Sequence, residues 1–266
     1  GKTIANLFFE PSTRTRISFE LAQKRMSADT ITFSASSSSL TKGESFKDTV
    51  KNIEAMKIDA IVMRHPHSGA PSHLTQFVDA VVVNAGDGMH EHPTQAILDM
   101  MSLQEQFQKL KGLKVGIIGD ISHSRVALSN IHGLITMGAK VMVCGPSTLI
   151  PAHIENLGVK VSHDFDEVID WADAVNILRI QLERMGAGLY PSVREYRELF
   201  GLTVDRIERH RKSLVIMHPG PMNRGTEIDS AVADSERAII LDQVLNGVAS
   251  RMAVLFLLLG GQLEEN

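Results

Sequence analysis

Short β-branched runs recur along this chain, and each is followed by a stretch with helical spacing. Thr3–Phe9, Ile31–Phe33, Asp59–Met63 and Ala80–Asn84 have the composition of strands, while Arg16–Met26, Lys47–Met56 and Pro93–Phe107 have the period of helices. A second series starts after Lys111. It runs from a strand at Lys114–Ile118, through a helix at Val126–Met137 stopped by Gly138, to a strand at Lys140–Val143. A helix, a strand, a helix and the strand Ala174–Leu178 complete it. Strands that alternate with helices predict a parallel sheet covered on both faces. Two such series in 266 residues, more than one core usually spans, predict an α/β fold of two doubly wound domains, each with a central, mainly parallel sheet flanked by helices. The expected domains are residues 1–107 and 108–243, with a hinge near Gln108–Gly112. Residues 244–266 are expected to form a C-terminal helix that returns to the first domain.

Charge and cysteine content narrow the possible functions. A net charge of −4 excludes a general polyanion binder, because nucleic-acid domains carry a basic excess. Any anion must therefore be recognised locally. Cys144 is the single cysteine, so no intrachain disulfide can form, and a reducing compartment fits. No apolar run approaches the roughly 18 residues of a membrane span; the stretch around Met252–Leu259 predicts a buried terminal helix. The chain opens on Gly1 with a strand almost at once and without a signal-peptide pattern, so a preceding segment is expected.

Leu7-Phe8-Phe9-Glu10-Pro11-Ser12-Thr13-Arg14-Thr15-Arg16 passes from a strand straight into a helix. A helix N-terminus offers unpaired backbone N–H groups and a partial positive charge, which together make an anion site. Thr13 and Thr15 add hydroxyls, and Arg14 adds a planar fork suited to phosphate oxygens. The segment therefore fits a phosphate cradle without P-loop glycines; a plain capped helix with solvated arginines fits it equally well. Arg64 ends another strand, and His92 follows a third and opens a long helix. Ligands of open α/β sheets collect at the carboxyl ends of strands, so Arg14, Arg64 and His92 are candidates for one crevice. In the second half, Arg125 and Arg179 follow strands in the same way and match an anionic ligand with two carboxylates. Ordinary packing of Arg125 and a surface pair between Arg179 and Glu183 are the plainer alternatives.

Seven motifs then stand in order from the first residues to about Gly260: F-F-E-x-S-T-R-T-R, S-L-T-K-G-E-S, V-M-R-H-P, N-A-G-D-G…H-P-T-Q, G-D-I…S-R, L-R-I-Q-x-E-R and H-P-G-P-x-N-R-G. Together they closely resemble the catalytic chain of the aspartate carbamoyltransferase family. The resemblance implies a homotrimer with shared active sites, which transfers the carbamoyl group of carbamoyl phosphate to the amino group of L-aspartate in pyrimidine biosynthesis. It implies no metal and no organic cofactor. By the same resemblance, Ser12, Thr13, Arg14 and Thr15 hold the phosphate, while Arg64, His92 and Thr15 reach the carbamoyl oxygen. Gln95 and the carbonyls of Pro219 and Gly220 hold the carbamoyl NH2, and Pro221 fixes their loop. Arg125 takes the α-carboxylate of aspartate, and Arg179 with Gln181 takes the side-chain carboxylate. Ser39, with Ser38 as the alternative, and Lys42 come from the neighbouring subunit. Dihydroorotase or regulatory chains are implied as further partners, nucleic acid and membrane are not, and the expected location is cytoplasmic. The resemblance also implies an N-terminal helix ahead of the first strand, expected to precede Gly1.

Four rival readings remain. An ornithine-specific relative would carry a late His-Cys-Leu-Pro loop and a Ser-Met-Gly loop, where this chain has His218-Pro219-Gly220-Pro221 and Arg179-Ile180-Gln181. An inactive scaffold would be expected to lose cradle residues that are kept here. Val115-Gly116-Ile117-Ile118-Gly119-Asp120 lacks the G-x-G-x-x-G spacing of a dinucleotide site. His65, His67 and His73, or His90 and His92, lack the i, i+4 spacing of a helical zinc motif.

Overall fold

Thr3–Phe8 forms β1, and its side chains Ile4, Ala5 and Leu7 are almost wholly buried. Burial on both faces is what a parallel strand between two helical layers requires. The computed structural model describes residues 1–34, 45–180, 192–210 and 213–262. They divide into two units, Gly1–Thr94 with Leu245–Asn266, and Gln95–Val244. The divisions fall inside two helices, where the sequence placed its first boundary at 107/108.

In the first unit, β1 is followed by α1 (Thr13–Arg25), β2 (Asp29–Ser34), α2 (Phe46–Glu54), β3 (Ala60–His65), α3 (Ala70–Leu74) and β4 (Val81–Asp87). All pairings are parallel, and the strand order is β2-β1-β3-β4. The chain therefore moves to one side of β1 and then crosses to the other, which makes the β1/β3 boundary the switch point of the sheet. The register sets Phe8 beside Arg64, and Phe9 N–H donates to the Arg64 carbonyl at 2.8 Å. Asn6 on β1 and Gln23 on α1 are both fully buried and exchange two amide hydrogen bonds of 2.9 and 2.8 Å. This pair fixes the helix against its strand while satisfying four polar groups that would otherwise be costly to bury.

The second unit contains most of α4 (Pro93–Phe107), then β5 (Lys114–Ile118), α5 (Arg125–Thr136), β6 (Lys140–Cys144), two short 3-10 turns, β7 (Lys160–Ser162), α6 (Phe165–Trp171) and β8 (Ala174–Ile177). After these come α7 (Val193–Phe200), α8 (Val204–His210), β9 (Val215–Met217) and α9 (Ser230–Ala233). Its strands are also parallel, in the order β7-β6-β5-β8-β9, with the switch point between β5 and β8. Gly116 lies mid-strand in β5, where a Cβ would stand 2.6 Å from the Val168 side chain of α6. This glycine lets a helix approach the sheet, a packing role that accounts for the glycine-containing Val115–Asp120 run.

The last helix, α10 (Ile240–Leu258), starts in the second unit and ends in the first. At 19 residues with a mean hydropathy of 1.4 it has the length and composition of a membrane span, and it begins four residues before the expected start at 244. Val248 and Leu255 nevertheless join Ile4, Phe8 and Phe19 in a core of the first unit, and the buried Arg251 guanidinium lies 5.0 Å from the centre of the Phe19 ring. The helix is buried along one stripe only, and Leu241, Leu245 and Phe256 are exposed. The expected buried terminal helix is thus buried on one side.

Candidate active site

The first turn of α1 differs from the other serine-capped helices of the chain. Ser45, Ser124 and Ser192 each accept a backbone N–H three residues ahead, at 3.1, 3.2 and 3.1 Å. Ser12 occupies the same position before α1 but makes no such capping bond. The N-terminal N–H groups of α1 are therefore not satisfied by the side chain that normally takes them. Thr15 is buried one turn in, while Thr13 and Arg14 are exposed. The Ser12 side chain thus leaves open the cap position that the other three serines fill.

Arg64 stands at the end of β3, directly across the switch point. It is 9% exposed; Nη1 donates to Thr15 Oγ1 at 3.5 Å, and Nη2 pairs with Glu10 at 3.3 Å. A charge this buried must be paired to be tolerated, and both partners belong to the strand-to-helix connection after β1. Two separate stretches of sequence, residues 10–15 and the end of β3, thus meet in one place.

His92 follows β4 on a turn organised by Asp87. That carboxylate is 2% exposed and accepts from Gly69 N–H at 2.8 Å, Glu91 N–H at 2.9 Å and the Asn84 amide at 3.2 Å. Gly88 has φ +56°, and a Cβ there would meet Ser68 Oγ at 2.5 Å, so the turn requires glycine. The result is a buried His92 immediately before Pro93, the first residue of α4. Beside Arg64, burial pushes the pKa of the His65 imidazole below its usual value.

In the second unit, Arg125 is the first residue of α5 and is 5% exposed. The Gly119–Ser124 connection that presents it is held by Leu149, whose carbonyl accepts from Ile121 and Ser122, and by Asp120, which accepts from His123 N–H and faces its Nδ1 at 2.8 Å. Arg179 follows β8 on the neighbouring strand and is half-buried. Gln181 lies outside the described residues, as do Ser39 and Lys42.

The 218–221 loop is fixed from two sides. His218 Nδ1 accepts from Gly220 N–H at 2.8 Å, so the ring proton sits on Nε2, which faces Glu227 at 3.3 Å. Both residues are completely buried. The His218 N–H donates to Gln243 Oε1 at 3.0 Å. Pro219 and Gly220 are half-buried and Pro221 is exposed, with a cis Gly220–Pro221 bond.

Sequence reasoning missed one residue, Asp99. Its carboxylate is fully buried and accepts from four side-chain amides: Gln95 at 3.0 Å, Asn130 at 2.8 Å, Gln243 at 2.7 Å and Asn176 at 3.4 Å. Burial pushes its pKa up to about 6, and the four amides hold it from rising further. Its signal in the sequence is a polar stripe, Gln95, Asp99 and Ser102, on a helix whose neighbouring positions Ala96, Leu98 and Leu103 belong to the core. Cys144 takes no part in the site: burial raises its thiol to about 12, which removes it as a nucleophile.

Known proteins share this architecture. Residues 1–105 match the family described as aspartate/ornithine carbamoyltransferase, carbamoyl-P binding domain, and residues 111–258 match the Asp/Orn binding domain of the same name. The aspartate carbamoyltransferase catalytic subunit of Christiangramia forsetii is 60% identical over 256 residues, covering 96% of this chain and 83% of its own length. That of Cytophaga hutchinsonii is 60% identical over 260 residues, covering 98% and 85%. Among solved structures, aspartate transcarbamoylase from Trypanosoma cruzi in complex with N-(phosphonacetyl)-L-aspartic acid aligns with a TM-score of 0.86 at 30% identity over 96% of this chain and 83% of that one. Ornithine carbamoyltransferase from Pyrococcus furiosus aligns with a TM-score of 0.85 at 28% identity, over 99% and 86%. With both domains matched and catalytic subunits as its relatives at 60% identity, the chain belongs to the aspartate/ornithine carbamoyltransferase family, on its aspartate carbamoyltransferase side.

Proposed function

We infer that the chain transfers the carbamoyl group of carbamoyl phosphate to the amino group of L-aspartate, giving N-carbamoyl-L-aspartate and phosphate, a step of pyrimidine biosynthesis. One observation carries the site assignment: the buried Arg64 reaches Thr15 at the end of a helix whose Ser12 leaves the first turn uncapped. In this reading Ser12, Thr13, Arg14 and Thr15 take the phosphate, and Arg64, His92 and Thr15 point donors at the carbamoyl oxygen. Gln95 and the Pro219 and Gly220 carbonyls accept from the carbamoyl NH2, with Pro221 shaping the loop. The amide of Gln95 supports this, because its nitrogen is engaged by Asp99 and its oxygen is left on the opposite side. Arg125 takes the α-carboxylate of aspartate, and Arg179 with Gln181 takes its side-chain carboxylate. A cation after β8 favours a dicarboxylate over ornithine.

The chemistry follows from these roles. The aspartate amine attacks the carbonyl carbon, a C–N bond forms, and negative charge builds on the carbonyl oxygen. Donors aimed at that oxygen stabilise the transition state more than the bound substrate. The C–O bond to phosphate then breaks, and the departing phosphate accepts the amine proton. The arginines offset repulsion between two anionic substrates and hold the amine in place.

The same reading makes the enzyme a cytoplasmic homotrimer in which Ser39 and Lys42 serve the neighbouring subunit's site, with dihydroorotase or regulatory chains as further partners. The test is product formation from carbamoyl phosphate with aspartate and with ornithine in parallel. Turnover with aspartate is expected. Turnover with ornithine alone would keep the cradle and overturn the roles of Arg125, Arg179 and Gln181; no turnover with either by a folded trimer would favour a scaffold.

A further inference from the structure

We propose that Asp99 is a positioning residue that makes the site select a carbamoyl group over an acetyl group; the inference rests on the roles given above to Gln95, Pro219 and Gly220. An ionised carboxylate only accepts hydrogen bonds, so every amide facing it must present its nitrogen. Gln95 and Gln243 both do so, at 3.0 and 2.7 Å. This choice fixes the other end of each amide. Gln95 Oε1 is turned away from the carboxylate as an acceptor. Gln243 Oε1 is turned to the His218 N–H at 3.0 Å, and His218 Nδ1 in turn takes the Gly220 N–H at 2.8 Å. With these N–H groups consumed, the loop has its Pro219 and Gly220 carbonyls left for a ligand. One buried carboxylate thereby sets three acceptors, from α4 and from the loop after β9, to face a donor.

A carbamoyl NH2 satisfies such acceptors, and the methyl of an acetyl group of the same shape does not. Sites built to hydrogen-bond a substrate group discriminate strongly against the analogue that lacks it, because their own polar atoms stay unpaired. Asn130 and Asn176 complete the set of donors and hold the second carboxylate oxygen. Replacing Asp99 by asparagine puts one NH2 among four amides that expect an acceptor, and turned to the Gln95 and Gln243 side it removes the acceptor that orients them.

The experiment compares carbamoyl phosphate with acetyl phosphate, with aspartate as acceptor, in the wild type, Asp99→Asn and Gln243→Met. Acetyl transfer forms the amide C–N bond and breaks the C–O bond to phosphate, which takes the amine proton, so both reactions balance alike. Where acetyl turnover is undetectable, the inhibition constant of acetyl phosphate replaces it. The ratio of the two specificities is expected to fall about tenfold or more in each variant, with acetyl phosphate affected least. A general loss of structure would lower both substrates together. An unchanged ratio in variants that melt cooperatively would overturn the inference. If Asp99→Asn does not fold, Gln243→Met decides alone, by the same criterion. A wild type that uses neither phosphate would instead refute the proposed reaction.

Discussion

Arg64 Nη1 donates to Thr15 Oγ1 across the switch point of the first sheet, joining the end of β3 to the first turn of α1. The contact ties a strong cation to the hydroxyl assigned to both the phosphate and the carbamoyl oxygen. Replacing Arg64 by alanine is expected to lower kcat by about 100- to 1,000-fold, the usual cost of one oxyanion donor. Lysine is expected to rescue little, because it lacks the planar fork. Steady-state kinetics at saturating carbamoyl phosphate test both, and near-normal kcat in either variant would remove Arg64 from the reaction.

Shared sites predict complementation. Arg14→Ala and Lys42→Ala trimers are each expected to be nearly inactive. Subunits of the two, mixed and exchanged, are expected to regain part of the activity, because some boundaries then carry both native residues. Mass spectrometry confirms the exchange; hybrids that form without regaining activity would place Lys42 in its own subunit's site.

The paired amides of β1 and α1 predict a coupling energy. Asn6→Leu strands the buried Gln23 amide and should cost about 1–3 kcal/mol, as should Gln23→Leu. The double variant is expected to lose less than the sum of the two. Urea unfolding of the four proteins measures this, and strictly additive losses would show that the two amides do not act as a pair.

Asp99 predicts a dependence on pH. Its folded pKa, about 6, lies above the ordinary carboxylate value of 3.8. The folded state therefore binds this proton more tightly than the unfolded state does, and stability from this group is greatest below about pH 4 and is lost as pH rises to 6. Over that window the wild type should lose on the order of 3 kcal/mol relative to Asp99→Asn. Thermal melts of both proteins at pH 4 to 7 report the difference, and parallel curves would contradict it. Activity runs the other way: protonation displaces amide donors from the carboxylate, so turnover should fall below about pH 6 more steeply in the wild type than in the variant.

The strands were legible wherever four uncharged, mostly apolar residues including Val or Ile stood in a row, as in Asp59–Met63 and Lys114–Ile118. Val215–Met217 was missed because three residues give no period to detect. Helix α1 begins at Thr13, before the apolar spacing starts at Ile17, because its first turn is occupied by polar residues of the candidate cradle. The arginines and His92 could be found from their places after strands. Asp99 could not be found from any one segment, since its four amide partners lie on four different elements. Only the coincidence of lone amides in otherwise apolar stretches, such as Asn176 in Ala174–Ile177, hinted at a common centre.

The last helix has a consequence for the order in which the chain matures on the ribosome. Val248 and Leu255 belong to the same core as Ile4, Phe8 and Phe19, yet they are synthesised after the whole of Gln95–Val244. At roughly 5–20 residues per second this interval lasts on the order of ten seconds. During it the second unit, which is contiguous, has every residue it needs. The first unit has its complete sheet but an open face that only residues after Val244 can close. Newly made chains should therefore acquire protease resistance in the second unit first, and the nascent first unit is the part most in need of a chaperone.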